Sequence, residues 1–357
     1  DTFQNPQLEK ERNALDFKLR NLFIDCFVEM FYDFDKYLMK LEDDIVFNTN
    51  LLIENRPKDE KDMDFAIKND VEFIACSFVS RAEEVLSIRK YLDSHGGETI
   101  ALIAKIENKE GIDNLDDILK VVDGIMVARG DLGVEIAIEK LPSIQKNMIK
   151  KVHMAGKRVI TATEMLETMT HNRRPTRAEV SDVANAVYDG TSCVMLSGET
   201  AVGDFPIDVV KTMSNICEDT EQNINYATNF KSINFEITNI PDALSHSSVN
   251  AAIDLEAKGL VVCTKTGNTA LMVSRFRPNT PIIALVTDEK AYNQLSMSWG
   301  VYPQLIDEYY STEELAIRAI DRAKTLPYIH KNDVIIILAG IARQAHASNM
   351  MRIERIR

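Results

Sequence analysis

The sequence predicts an α/β protein with two successive alternating βα units behind a helical amino-terminal segment. Three observations predict it. From Lys58 onward, short apolar β-branched runs alternate with helical patterns. The alternation restarts near Phe235, after a stretch without it. Residues 1–57 lack it and instead carry apolar residues at three- and four-residue steps.

The amino-terminal pattern runs from Leu8 to Leu41 and is rich in aromatics, with Phe17, Phe23, Phe27, Phe31, Phe34 and Tyr37. It predicts one or two amphipathic helices burying one face. Beyond it, helices are predicted over Asp59–Asn69, Arg81–Leu92, Gly111–Val121, Ile144–Ala155 and Glu179–Val187. They alternate with strands over Val71–Val79, Ile100–Glu107, Gly124–Ala128, Arg158–Thr163 and Cys193–Ser197. Continuous apolar strands between amphipathic helices indicate a parallel sheet covered on both faces. The spacing of roughly 25–35 residues per strand suits a βα unit. In the last region helices are predicted over Pro241–Glu256, Asn268–Arg275, Glu289–Met297 and Thr312–Thr325. Its strands are Gly259–Cys263, Ile282–Val286, Val301–Ile306, Val334–Leu338 and a final Met350–Ile356, forming an open sheet. The expected domains are 1–57, 58–220, a linker over 221–240, and 241–357.

Composition narrows the function classes. The net charge is −14, from 41 basic and 55 acidic residues. Such a chain repels phosphate backbones, which argues against nucleic acid, and an anionic substrate needs a local positive site. The five cysteines are widely spaced with no CxxC, which argues against a disulfide framework and a zinc site. No leader is visible at the acidic start, and no apolar run approaches the ~20 residues of a membrane span. A cytoplasmic location without membrane association is the expectation.

Candidate chemistry gathers at the ends of the predicted strands. Lys105 and Glu107 stand two apart on a strand and so share a face. They suit an electrophilic lysine beside a metal-binding carboxylate, or more simply a salt bridge. Ala128–Gly133 (ARGDLG) is a strand entering a glycine-bracketed turn, where backbone N–H groups can approach an anion. Asp131 there is a second oxygen ligand for a divalent cation, or a helix N-cap. Thr163 can donate to a bound acid or cap a helix. His171–Glu179 is a basic loop entering a helix, suited to a subunit contact or plain solvation. Ser197 and Glu199 can relay a proton or simply form a turn.

Taken in order, IAKIEN, MVARGDLGVE, ITATEMLETM, RPTRAE and VMLSGETAVGDFP resemble pyruvate kinase through the later half of its barrel. Thr264–Ala270 (TKTGNTA) and Ser274–Pro278 (SRFRP) resemble that family's carboxy-terminal domain. The resemblance runs from about Lys58 to Arg357. It implies an incomplete TIM-type (β/α) barrel, with five of the family's eight strands evident, followed by an open α/β domain. It implies phosphoryl transfer from phosphoenolpyruvate to ADP, giving pyruvate and ATP. Lys105 would stabilise the enolate. Glu107 and Asp131 would hold Mg2+ (or Mn2+). Gly130, Asp131 and Thr163 would hold the substrate carboxylate, and Ser197 would protonate the enolate by relay. Thr264, Lys265, Thr266, Gly267, Asn268 and Thr269 match the place where family members bind a phosphorylated effector. K+ and a homotetramer are also implied.

The departures from the family are expected to matter. Its first three barrel strands, its lid domain, its phosphoryl-gripping arginines and its K+ ligands would precede Lys58, and residues 1–57 carry none of those motifs. Glu164 stands where the family usually has glutamine, and Ala342–Ala347 where it is usually glycine-rich. Within the first segment, Leu22–Phe31, Tyr37-Leu38 and Val46-Phe47 resemble the downstream part of DENN domains, which act on small GTPases of the Rab type. Three readings stay open: an enzyme of this family, a catalytically inactive remnant or fusion serving as a binding or regulatory module, and a join of unrelated pieces.

Overall fold

The structure, a computed structural model, describes residues 56–308, 311–340 and 348–357. The predicted helices within 8–41, the DENN-like run and Ala342–Ala347 lie outside the described residues. The chain divides into two compact units after Ile224.

In the first unit, α1 (Arg56–Lys68) leads into β1 (Phe73–Cys76), α2 (Ala82–His95) and β2 (Ala101–Ile106). Two short helices follow, α3 (Lys109–Asp113) and α4 (Leu115–Ile118). Then come β3 (Gly124–Ala128), α5 (Arg129–Glu135), α6 (Leu141–Met154), β4 (Arg158–Ala162), α7 (Arg177–Tyr188), β5 (Cys193–Val194), α8 (Gly198–Ala201) and α9 (Pro206–Gln222). The five strands lie in sequence order and every pairing is parallel. Simple sequential parallel order is what successive βα units of a barrel produce. β1 and β5 are its outer strands among the described residues. β3 and β4 are buried along their whole length, so apolar side chains are required on both faces, with helices over the sheet.

Local chemistry sets the helix ends. Thr176 and Glu179 form a reciprocal capping box at the start of α7. The carboxyl of Glu179 also accepts from the backbone and hydroxyl of Thr168, tying that helix to the loop before it. Gly96 closes α2 at φ 89°, a conformation that disfavours any residue with a Cβ.

The second unit holds α10 (Tyr226–Ser232), α11 (Ile240–Asp254), β6 (Gly259–Cys263), α12 (Asn268–Ser274), β7 (Ile282–Val286), α13 (Glu289–Leu295) and β8 (Val301–Leu305). It ends with α14 (Thr312–Lys324), β9 (Val334–Gly340) and β10 (Ser348–Arg355). The strand order is β10-β9-β6-β7-β8, with β10 antiparallel to β9 and the rest parallel. Alternation along β6 sends Leu260 and Val262 into one apolar cluster and Val261 and Cys263 into the other. The stretch 221–240, expected as the linker, contains the end of α9 and all of α10.

Some expectations are corrected. The helix predicted over Gly111–Val121 breaks at Asn114, whose amide reaches across to the Ser80 carbonyl at 2.9 Å. The strand predicted over Cys193–Ser197 stops at Val194, since β4 pairs with it at two positions only. Neither Asp131 nor Thr163 is an N-cap: Asp131 lies in the first turn of α5, behind Ala128, and no helix begins at Thr163.

Half-buried Glu221 near the end of α9 gives a measurable pH dependence. Burial pushes its carboxyl up from 4.5 to about 7, and the neighbouring Glu218 adds to this. The folded chain therefore binds more protons than the unfolded one between those values, and stability falls as pH rises through them. Glu221→Gln removes the penalty. It is expected to stabilise the chain by about 1–3 kcal/mol at pH 8, allowing for partial exposure, and by little near pH 4. Urea unfolding at the two pH values checks this; an equal effect at both would refute it.

Candidate active site

The carboxy-terminal ends of β1 to β4 form one rim. Sheet register places its residues: Cys76 pairs with Ala104, Ile106 with Val127, and Ala128 with Ala162. The next residues along, Ser77, Glu107, Arg129 and Thr163, each follow directly on a strand end, in a staggered row.

Lys105 and Glu107 meet as their two-residue spacing predicts, with Lys105 Nζ 2.7 Å from Glu107 Oε1. Lys105 Nζ also donates to Ser77 Oγ at 2.9 Å. The other carboxylate oxygen of Glu107 accepts the Phe78 N–H. Glu107 is 1% exposed, while the Lys105 side chain keeps 19% of its surface open. Burial raises the Glu107 carboxyl above the usual range; Lys105 and the Phe78 N–H oppose this, and the negative charge of Asp131 adds to it. Asp131, exposed in the first turn of α5, is thus close enough for the two acids to repel each other.

Such a pair gains most from a cation placed between its members. Hard carboxylate oxygens suit Mg2+, which takes one or two carboxylates and completes its shell with water and phosphate oxygens. Among the described residues no group of three or more His, Cys, Asp or Glu side chains is arranged to hold a metal ion. The donor set therefore fits an ion shared with an oxygen-rich ligand better than a closed protein cage.

The loop after β1 is built to hold this geometry. Phe78 sits at φ 52°, in the left-handed region. Ser80 is fastened on three sides: its hydroxyl accepts from Asn108, its carbonyl from Asn114, and its N–H donates to Glu84. Asn108 also caps α3 by accepting the Gly111 N–H at 2.7 Å. One buried side chain thereby joins the ends of β1 and β2.

On the other side of the rim, the Gly130 N–H donates to Thr163 Oγ1 at 2.8 Å, and that hydroxyl donates to the Ala162 carbonyl at 2.6 Å. Thr163 and Glu164 both have positive φ, 69° and 53°. Arg129, buried beside them, donates to the carbonyls of this turn and pairs with Asp182. Ser197 is reached through Glu199: that fully buried carboxylate accepts the Ser197 N–H at 2.8 Å and the Leu166 N–H at 3.1 Å. The Ser197 hydroxyl lies 3.4 Å from Glu199 Oε2, the oxygen that accepts its own N–H, while Oε1 accepts that of Leu166.

Residues 48–210 match the sequence model of the pyruvate kinase barrel domain, and residues 242–354 match that of the pyruvate kinase alpha/beta domain. These two stretches belong to the pyruvate kinase family. The chain is 46% identical over 299 residues to the pyruvate kinase of Clostridium acetobutylicum, covering 83% of this chain and 63% of that protein. It is 45% identical over 303 residues to that of Clostridium perfringens, covering 84% of this chain and 64% of the relative. With the pyruvate kinase of Bacillus licheniformis it shares 44% over 300 residues, covering 83% of this chain and 51% of the relative. The chain thus spans about half to two-thirds of the length of these relatives. The match to the family's barrel begins at residue 48, ahead of the boundary expected at 58.

Within the family's alpha/beta domain, the turn between β6 and α12 carries exposed Lys265, Thr266 and Asn268, with Thr264 buried and Thr269 half-buried. No side chain caps α12; its N-cap is Gly267 at φ 79°. A Cβ there would stand 2.9 Å from Leu295, so both conformation and space call for glycine.

Two residues that shape the site were not singled out from the sequence. Ser77 orients Lys105, and Arg129 grips the Thr163 turn. A serine at a strand end carries no distinguishing local signal. Arg129 lies inside the ARGDLG motif, but its partners are more than thirty residues away in sequence.

Proposed function

We propose that the rim of the first unit carries pyruvate kinase chemistry: transfer of the phosphoryl group of phosphoenolpyruvate to ADP, giving pyruvate and ATP. In that reaction the enol C–O–P linkage opens at the P–O bond and a new P–O bond forms to the terminal phosphate of ADP. The enolate left behind takes a proton at its methylene carbon. Lys105 would neutralise the enolate oxygen, and a preplaced cation at developing negative charge is a large rate factor. Glu107 and Asp131 would hold Mg2+ or Mn2+, which when bound neutralises phosphoryl and substrate oxygens. The backbone of Gly130 and Asp131, with the Thr163 hydroxyl, would receive the substrate carboxylate, and Ser197 would pass on the proton. The observation that carries this reading is the Lys105–Glu107 pair at 2.7 Å, with Asp131 near enough to raise the same carboxyl. K+, a homotetramer, a phosphorylated effector at Thr264–Thr269 and a cytoplasmic setting belong to the same proposal by family.

One observation favours a second reading, a binding or regulatory module without turnover. The chain spans 51–64% of the relatives described above, and among the described residues the parallel sheet has two outer strands, β1 and β5, whose free edges could receive a partner strand.

Mn2+ titration followed by electron paramagnetic resonance tests the site. Binding is expected, and Glu107→Gln or Asp131→Asn should weaken it by about tenfold or more. Pyruvate formation is read in parallel by a lactate-dehydrogenase-coupled assay. Mn2+ binding with turnover supports the enzyme, and binding without turnover selects the module. Absence of Mn2+ binding, or indifference to both substitutions, defeats the proposal.

A further inference from the structure

We propose that Arg129 is a positioning residue that holds Thr163 at the Gly130 amide, so that the Thr163 hydroxyl, turned from the Ala162 carbonyl, can donate to one carboxylate ligand. The inference rests on the reading of the site given above.

Thr163 and Glu164 are consecutive left-handed residues, at φ 69° and 53°, and neither is glycine. Each is unfavourable for a side chain with a Cβ, so the surroundings must hold the turn in place. The Arg129 guanidinium does so. Its Nη2 donates to the carbonyls of Thr163 at 2.6 Å and Glu164 at 3.0 Å. Its Nε lies 3.3 Å from the Ala162 carbonyl and 3.2 Å from that of Thr163. Three successive carbonyls thus converge on one fork of N–H donors. On the far side Nη1 pairs with Asp182 of α7 at 2.5 Å. The side chain is buried, which makes each of these bonds costly to leave unmade.

The grip is double. Arg129 is the first residue of α5, and the next amide, that of Gly130, donates to the Thr163 hydroxyl. The side chain thus holds the Thr163 carbonyl while the adjoining backbone holds its hydroxyl. That closes a ring between the ends of β3 and β4 and fixes the distance from Thr163 to Asp131. A glycine at 163 would relieve the backbone but abolish the hydroxyl, which explains a threonine in a conformation suited to glycine. Lysine cannot replace the arginine, because a point charge cannot serve three carbonyls and a carboxylate at once.

The test uses the full chain and the variants Arg129→Met, Arg129→Lys and Asp182→Asn. Hydrogen exchange is followed by NMR at the Gly130 amide and at the β4 amides. Mn2+ affinity is measured first, and oxalate, a small dianion resembling the enolate's oxygen pair, is then titrated into the Mn2+-loaded chain. In both Arg129 variants the Gly130 amide should exchange about tenfold faster relative to β4, and oxalate affinity should fall about tenfold. Mn2+ affinity should stay within about threefold, because Glu107 and Asp131 remain. Asp182→Asn should give a smaller change of the same kind. If Arg129→Met does not fold, the other two variants carry the same comparison. Unchanged Gly130 exchange and oxalate affinity overturn the proposal. So does a parallel loss of all amides and of both ligands, which would mark a merely structural role. If the unsubstituted chain binds no oxalate, the reading of the site falls, and Gly130 exchange alone decides the role of Arg129.

Discussion

On the proposed pyruvate kinase reading, Lys105→Met is expected to lower conversion of phosphoenolpyruvate to pyruvate by about 100- to 1,000-fold. Two effects act together. The cation proposed to neutralise the developing enolate oxygen disappears, and an interaction made in the transition state is lost from kcat. The partner of Glu107 disappears as well. Burial already raises that carboxyl, and Lys105 is the first of the groups opposing the rise. Without it Glu107 takes up a proton at higher pH, and Mn2+ affinity should weaken more as pH falls. Lys105→Arg separates the effects: it keeps the charge beside Glu107 and so preserves Mn2+ binding, while the larger planar head misplaces the donor. Coupled-assay kcat and Mn2+ titrations for both variants give the measurement. Full turnover in the methionine variant would remove Lys105 from the mechanism.

Arg275→Met is expected to destabilise the second unit by about 3–5 kcal/mol. Arg275 pairs with Asp242 at 2.6 Å, and both side chains are buried. Its guanidinium also lies over the rings of Phe235 and Phe276, 4.3 and 5.0 Å from their centres. Burial pushes the Asp242 carboxyl up, but the hydrogen bonds from Arg275 and Thr238 outweigh it and leave it lowered. A lowered acid contributes stability above its unfolded value of 3.8, and that contribution is lost as pH falls below it. Methionine in place of Arg275 fills much of the space but leaves a buried carboxylate with Thr238 alone. The loss should therefore be large at pH 7 and shrink under acid conditions, where Asp242 is protonated in both states. Arg275→Met with Asp242→Leu should recover much of it, since two apolar groups replace a buried pair at little cost. Trp299 is the chain's only tryptophan and lies in this unit, 8% exposed, so its fluorescence during urea unfolding follows this unit. A loss below about 1 kcal/mol at pH 7 would place the pair among surface-like bridges.

Much of the fold was legible because its signal is local. The strands at Gly124–Ala128, Gly259–Cys263 and Ile282–Val286 lie where the apolar runs placed them. α9 could have been read too: Pro206 opens it, and Val209, Val210 and Met213 recur at helical spacing into a buried cluster. The split at Asn114 could not, because the competing partner is the Ser80 carbonyl, thirty-four residues earlier.

The same division runs through the site. A strand's two-residue period requires Lys105 and Glu107 to share a face, so their meeting follows from order along the chain alone. The sequence also determined the alternation, and with it two parallel-sheet units. Only the tertiary structure decided that Ser77 supports Lys105, that Asp131 presses on Glu107, and that Arg129 holds Thr163 in a left-handed turn. The physical reason is range. Hydrophobic period acts over a few residues, whereas these contacts join strand ends about thirty residues apart, which only the pairing of the strands brings side by side.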